Sequence, residues 1–356
     1  MINRRHMLLA GSAFGTALAL GSRAAGAADL PTIRFGVGLK AMSAIVINTV
    51  IGEVLGYNRE EGFTLKPLAL GGNANVQVAV ERGDVEIGIG VPSFGLPLLA
   101  KGEWGNAINF YEYTYPYKWD VATLPAAPLK SYAELKGKRI GVSDFAATEY
   151  PVTRNVLKTL GIDPDADVRW VAVGNGVPAG VALQRGSIDA LAYYDTGFGQ
   201  IEAAGIAITM IPRPPGLPMV GGQFLMTPKA RLAENRKLMV GFGRSVAKAS
   251  RFILAEPAAG AKAFLAMYPE AAPRGANAED AIKSVLQSIS RRIKLYEPPY
   301  PNAAMGSINV EEFRQEADMN GLKIADFSPF YTNDLIAEIN DFDVARIKAQ
   351  ALAYKA

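Results

Sequence analysis

Ala79-Val80-Glu81-Arg82-Gly83-Asp84-Val85-Glu86 returns as Ala182-Leu183-Gln184-Arg185-Gly186-Ser187-Ile188-Asp189, at a constant offset of 103 residues. Each copy reads as the end of a helix, a glycine that stops it, and the start of a strand. At the same offset Gly72 falls on Asn175 and Pro92 on Asp195, so the loops around the two copies correspond too. The repetition predicts two similar lobes rather than one long sheet.

Outward from the first copy, residues 32–38 (TIRFGVG) read as a strand and 43–55 as a helix with Ser43 at its N-cap and Gly56 as its stop. Residues 63–70 read as a second strand, 71–73 as a turn, 74–81 as a helix and 85–90 as a third strand. Around the second copy the same order recurs: strand 139–143, helix 148–160 stopped by Gly161, strand 168–173, turn 174–176, helix 179–184 and strand 188–194. Successive strand-helix-strand units need right-handed crossovers and bring all strand C-termini to one edge, where loops line a crevice. Two stretches read as passages between the lobes. One is residues 104–124, crowded with Tyr111, Tyr113, Tyr115, Pro116, Tyr117 and Trp119; the other is the Pro-rich 211–218 (IPRPPGLP). The expected division is therefore residues 28–115 in lobe 1, 116–212 in lobe 2, and 213–356 returning to lobe 1. The last segment carries helices over 229–254, from Pro257, 309–320 and 333–350, expected to pack on lobe 1.

Charge and rare residues narrow the function. Of 37 Lys and Arg residues, Arg4, Arg5 and Arg23 fall within residues 1–27, which hold no acid. The rest of the chain balances the 34 acidic residues, so the formal net charge of +3 belongs to that first segment. Without a basic surplus, the composition offers nothing to a nucleic acid. Residues 1–27 have the form of a secretory signal: Arg4-Arg5, an apolar run over 7–20, and Ala25-Gly26-Ala27 before Ala28. The run is too short, and too rich in Gly, Ser and Thr, to span roughly 30 Å of hydrocarbon. Asn3-Arg4-Arg5-His6-Met7-Leu8-Leu9 also approximates the twin-arginine pattern, and either export route predicts a periplasmic protein. The chain has no cysteine and one histidine, His6, which leaves with the leader. A mature chain so composed cannot build a Ser-His-Asp triad, a cysteine nucleophile or the usual zinc sites. Carboxylates, lysines and tyrosines remain available for catalysis, so an enzyme is disfavoured rather than excluded, and no catalytic residue, metal or cofactor is expected.

The mature chain resembles the periplasmic solute-binding proteins of ABC importers, in the nitrate/sulfonate/taurine branch that includes binders of thiamine-pyrimidine precursors. The resemblance is carried by Leu70-Gly71-Gly72-Asn73 through Gln77, by residues 80–88 (VERGDVEIG), by 129–142 (LKSYAELKGKRIGV) and by 184–190 (QRGSIDA). It covers nearly the whole mature chain and is densest over 32–204. It implies an α/β, two-lobed periplasmic-binding-protein fold of type II-like form, each lobe a central, mostly parallel sheet flanked by helices, with two hinge crossings. It implies a monomer that closes on a small solute and hands it to an inner-membrane permease with its cytoplasmic ATPase. The sequence departs from the branch at Gly38-Leu39-Lys40-Ala41-Met42-Ser43-Ala44, where a proline-rich stretch is usual, and at Tyr193-Tyr194-Asp195-Thr196, where a Glu-Pro pair often stands. Both departures sit where the resemblance puts the ligand.

Helix N-termini carry unpaired N–H groups and partial positive charge, so several converging on one crevice can hold an anion. The candidate loops are Met42-Ser43, Gly72-Asn73-Ala74-Asn75, Pro92-Ser93-Phe94, Ala146-Ala147-Thr148 and Asn175-Gly176-Val177. Ser43, Asn73, Ser93, Thr148 and Asn175 could add side-chain hydrogen bonds, although each taken singly is an ordinary cap. Tyr113, Tyr115, Phe145 and Tyr194 are candidates to stack on a planar ligand. Lys40 could pair with an acidic group. Asp144, Glu149 and Asp195 weigh against a highly charged anion and could instead receive an amino group. The expected ligand is a sulfonate or an aliphatic or aromatic carboxylate; the alternatives are a thiamine-precursor-like pyrimidine, a ligand sensor, or an enzyme on the same scaffold.

Overall fold

The computed structural model describes residues 30–355, and the expected leader, residues 1–27, lies outside them. Ten strands sort into two sheets of five. The first holds β1 (Thr32–Val37), β2 (Thr64–Ala69), β3 (Ile87–Gly90), β4 (Ala107–Thr114) and, much later in the chain, β10 (Gln223–Pro228). The second holds β5 (Trp119–Thr123), β6 (Arg139–Val142), β7 (Arg169–Ala172), β8 (Ala190–Tyr194) and β9 (Thr209–Met210). The orders are β2-β1-β3-β10-β4 and β7-β6-β8-β5-β9. In each sheet three strands run parallel, and the strand entering from the other lobe pairs antiparallel on both sides. This is the two-lobed α/β fold that the sequence implied.

The repeat is a repeat of interactions. The Arg34 amide and guanidinium donate to Glu86 at 2.8, 3.0 and 2.6 Å, and the guanidinium reaches the Gly83 carbonyl at 3.4 Å. In the other lobe Arg139 does the same to Asp189 at 2.8, 3.1 and 2.7 Å and to the Gly186 carbonyl at 2.7 Å. Each clamp ties the middle of the three parallel strands of its lobe, β1 or β6, to the helix-stop turn ahead of β3 or β8. Arg139 holds the Asp189 carboxyl down to about 2. Each sheet is covered on both faces by a separate apolar cluster, which is why the strands read as apolar runs without strict alternation. On one face of the first sheet, Gly88 lets helix Asn73–Arg82 sit close: a Cβ there would lie 2.6 Å from Val76 and 2.7 Å from Val80.

The structure departs from the sequence reading in three places. The aromatic stretch 104–124 is mostly β4 and β5; Tyr and Trp favour strands, and β4 is buried on nearly all its residues, so no alternation betrayed it. The passage itself is only residues 115–118, and the return runs over residues 211–222. The long helix expected over 229–254 breaks at Asn235 into Lys229–Glu234 and Arg236–Ala255, and 333–350 holds two short helices, Ile336–Ile339 and Val344–Ala353.

The third departure bears on function: the C-terminal helices do not pack on lobe 1 alone. Helix Ala278–Ile289 sets Val285 and Ile289 into the lobe 1 core and lays its last turn on helix Asp195–Ala203 of lobe 2, where Ser288 Oγ donates to the Thr196 carbonyl at 3.3 Å. Helix Val310–Met319 joins a lobe 1 cluster through Phe313, packs Met319 against a lobe 2 cluster, and ends at Asn320, whose side chain accepts a hydrogen bond from Asn155. The lobes are thus linked by two chain passages and two helices. No helix among the described residues is long and apolar enough to cross a membrane.

Gly199 makes the first of these helix contacts possible, since a Cβ there would lie 2.5 Å from the Gln287 carbonyl oxygen and 2.6 Å from that of Ser288. Backbone atoms cannot swing aside as a side-chain tip does. Gly199→Ala is expected to lower the stability read by denaturant titration by about 1–3 kcal/mol; an unchanged midpoint would show that the two helices separate freely.

Candidate functional site

The C-terminal ends of β1, β2, β6, β7 and β8 open onto a cleft between the sheets. It is lined from lobe 1 by residues 38–40, Ile45, residues 71–73 and Gln223. Lobe 2 contributes Trp119 at the start of β5, Ser143, Asp144, residues 147–149, Asn175 and Tyr194; the passage contributes Lys118, and the segment after helix Ala278–Ile289 contributes Arg292. The cavity is about 70 Å³, and at roughly 10–15 Å³ per water it holds a few waters or one small solute. The two rims touch. Asn73 Nδ2 donates to Thr148 Oγ1 at 2.9 Å, and Lys40 lies 3.6 Å from Asp144. That ion pair is largely exposed, so the neutral bond between the rims is the more specific contact.

Of the residues singled out from sequence, Lys40, Gly72, Asn73, Thr148, Glu149, Asn175 and Tyr194 line this cavity, and Asp195 sits directly behind it on Arg292. The others lie elsewhere. Met42 packs on the lobe 1 core. Ser43 makes no capping bond; its backbone leads into a single 3-10 turn, Ala44–Val46, rather than a long helix. Asn75 turns back to the Leu70 carbonyl at 2.8 Å. Pro92 is buried at the start of its helix, Ser93 donates to Glu316 at 2.6 Å, and Phe94 rests on the lobe 1 core. The Tyr115 hydroxyl accepts from the Gly306 amide at 2.8 Å and donates to the Ser307 carbonyl at 3.3 Å. Tyr113 donates to Gln223 at 3.0 Å. Phe145 is exposed and packs on Tyr150; Ala146 stands at the rim, its carbonyl near Gly72. The loop after β3 thus serves the fold, although it matches the loop after β8 in position.

Lys118 and Arg292, which the sequence reading missed, form the floor. Arg292 is fully buried. It grips Asp195 with two bonds of 2.6 and 2.5 Å and reaches the Ile45 carbonyl at 3.3 Å, joining the lobe 2 helix Asp195–Ala203 to the first loop of lobe 1. Its fork is spent on the protein. Lys118 is also buried, and among the described residues its one hydrogen-bond acceptor is the Gly221 carbonyl at 2.5 Å. Its ammonium lies 4.5 Å from the centre of the Trp119 ring. Burial, and then the nearby Arg292 charge, bring its pKa down to about 7.

Two of the four helix N-termini at the cleft are occupied by the chain's own carboxylates. Glu149 opens its helix and accepts from the Ser143 amide at 3.0 Å and from the Ser143 hydroxyl; burial pushes its carboxyl up. Asp195 opens helix Asp195–Ala203 and is paired with Arg292. Helices Asn73–Arg82 and Val177–Gln184, the repeated pair, have no acid in their first turns. Beside them, Tyr194 stacks on Tyr193 at 4.4 Å and donates to Asn175 at 3.2 Å. No group of three or more His, Cys, Asp or Glu among the described residues could hold a metal ion.

The lysine carried one readable signal, a charge set between Tyr117 and Trp119 in an apolar run. Arg292 carried none, because only the tertiary fold brings it to Asp195. Asp195→Asn leaves the guanidinium buried without its counter-charge. It is expected to cost about 3–5 kcal/mol in denaturant unfolding, with Asp195→Asn/Arg292→Met recovering much of the loss. Equal losses in the single and double variants would mean the pair is not coupled.

A family model described as NMT1/THI5 like matches residues 45–260, more than half of the chain. No curated protein matches the sequence significantly. Solved structures share the fold. A protein from Bordetella bronchiseptica RB50 has a TM-score of 0.66 at 20% identity, over 87% of this chain and 97% of that one. The alkanesulfonate-binding protein SsuA from Xanthomonas axonopodis pv. citri, bound to MOPS, has 0.61 at 16%, over 88% and 99%. The periplasmic nitrate-binding protein NrtA from Synechocystis PCC 6803 has 0.61 at 12%, over 92% and 99%. At such identities the likeness to these structures is one of fold, while the match over residues 45–260 assigns the chain itself to the NMT1/THI5-like family.

Proposed function

We propose that this chain is the periplasmic solute-binding component of an ABC importer. In this reading it takes a small organic anion, a sulfonate or a carboxylate, between its lobes and delivers it to an inner-membrane permease. Residues 1–27 would direct export and be cleaved. One observation carries the choice of an anion: Lys118 is a buried amine at the cleft floor whose hydrogen-bond acceptor among the described residues is a neutral carbonyl. A buried charge calls for a counter-charge, and the acid-free N-termini of helices Asn73–Arg82 and Val177–Gln184 favour the same sign. Contact with a guest anion would return Lys118 to its charged form. The fold neighbours that bind sulfonate and nitrate support the reading.

Binding rather than catalysis is the role these residues suit. The chain has no cysteine, and its only histidine is His6, so the groups at the cleft orient and neutralise a guest. Glu149 favours a second reading, an aminopyrimidine-like guest. Its buried carboxyl lines the cleft beside the Tyr194 ring, where it could accept from an amino group.

Native mass spectrometry of the purified protein, followed by thermal shift with alkanesulfonates, short carboxylates and aminopyrimidines, tests the proposal. Sulfonates or carboxylates should raise the melting temperature; a response to aminopyrimidines alone would favour the second reading, and no response would refute both. Lys118→Met should weaken the anion by tenfold or more, in line with the roughly 1.5–3 kcal/mol of a hydrogen bond to a charged group. Asn73→Ala and Thr148→Ala should each cost about 1–3 kcal/mol of binding. Full affinity in all three variants would move the guest away from this floor.

A further inference from the structure

The cleft floor carries a second polar side chain that the fold leaves half used. Gln223, the first residue of β10, lines the cavity together with Lys118 and is 7% exposed. Tyr113 donates to its Oε1 at 3.0 Å. A side-chain amide has an acceptor end and a donor end, and among the described residues no hydrogen bond engages the Nε2 end. Nor is Nε2 one of the buried polar atoms shut away without a partner, which leaves the cavity as the space it faces. Lys118 donates to the Gly221 carbonyl, two residues before Gln223, so the amine and the amide belong to one short stretch of the floor.

The strands themselves set the direction of that amide. Gln223 pairs with Thr114 and Phe224 with Glu112, so the ladder between β4 and β10 skips Tyr113. A bulge of this kind leaves the extra residue outside the ladder and re-aims its side chain. The Tyr113 carbonyl accepts instead from Asn48 Nδ2 at 3.0 Å, and the same Asn48 amide donates to Ser250 Oγ at 3.1 Å. Asn48, Tyr113 and Ser250 are at most 2% exposed, so a dry row of hydrogen bonds runs from helix Arg236–Ala255 to the floor. Burial holds the Tyr113 phenol above its ordinary value. It therefore keeps its proton at neutral pH and presents it to the Gln223 oxygen, and the nitrogen is the end left for a guest.

We propose that Gln223 is a specificity-determining residue of the cleft: Lys118 neutralises one oxygen of the guest, Gln223 Nε2 donates to a second, and Tyr113 is the positioning residue that fixes the amide. The proposal rests on the anion reading above and deepens it. An ammonium is a compact point charge that accepts an anion from many directions. A planar amide N–H selects a direction as well. The guest class is then an anion with two oxygens on one centre, a carboxylate or a sulfonate. A guest that turned its own N–H toward Gln223 would set two donors face to face, and a site with an unpaired buried donor rejects such a guest.

Calorimetric titration of the parent protein with methanesulfonate, ethanesulfonate, acetate and propionate, repeated in Gln223→Met and Gln223→Glu, tests this role. Gln223→Met removes the donor at similar length and should weaken each probe that binds the parent by about tenfold. Gln223→Glu puts a like charge in the donor's place and should weaken it by about a hundredfold or more. Tyr113→Phe should cost about threefold in the parent and nothing further in Gln223→Met, since a positioning residue acts only through the group it positions. Heteronuclear NMR of the labelled parent protein reads the contact directly. The Gln223 side-chain amide pair, identified by its absence from Gln223→Met, should shift as the probe is added. Full affinity in Gln223→Met or Gln223→Glu would overturn the proposal, as would an amide pair that stays in place while the probe binds. A Tyr113→Phe loss undiminished in the Gln223→Met background would deny Tyr113 its part. Binding of none of the four probes would refute the anion reading and this role with it, whereas binding indifferent to the variants refutes the role of Gln223 alone.

Discussion

The contact between Arg292 and Asp195 is the constraint on which the arrangement of the lobes rests. A fully buried guanidinium must keep its counter-charge, and here that charge stands at the first residue of a lobe 2 helix while the third arm of the fork reaches a lobe 1 carbonyl. The pair therefore fixes where helix Asp195–Ala203 begins relative to the first loop of the chain. The packing of Gly199 on helix Ala278–Ile289 then follows as the apolar continuation of the same junction. Both sides of the cleft floor are positioned before any guest arrives.

Charge around the cleft is balanced more closely than a site built for a multiply charged anion would need. Asp195 cancels Arg292, Lys40 meets Asp144, and Glu149 is held by the serine that precedes it in the chain. What is left is one desolvated ammonium and the ends of two helices. On the proposed function, a single negative group would match that remainder, and a second would meet the carboxyls of the opposite rim. Lys118 and Glu149 both line the cavity, so its floor carries groups of opposite character.

The sequence disclosed the scaffold better than the floor. Helix-stop glycines, strand onsets and their recurrence at one offset are local features, so the three parallel strands of each lobe could be read directly, and the Arg34 and Arg139 clamps grow from the same repeated segment. β4 and β5 were hidden because strands buried on both faces lose the alternation that marks a half-exposed one. Rim residues such as Asn73 and Thr148 could be found because they precede or begin helices. Lys118 depends on a passage between lobes and shows locally only as a charge between two aromatic residues, and Arg292, which follows a helix that joins the cleft from far along the chain, has no local signature. The reverse error has the same root: Pro92, Ser93 and Phe94 occupy a loop of the right kind, but the bridging helix takes Ser93 for Glu316.

The hydrogen bond from Asn73 to Thr148 has a kinetic corollary. While it is made, the two rims are tied together across the cleft, so on the proposed reading a solute reaches the floor more readily when the rims part. Uptake on that reading would be gated, rising in proportion to concentration when solute is scarce and levelling off at the frequency of parting when solute is plentiful. On the same reading, departure would pass the same door, and a partner that parts the rims would set when the solute leaves.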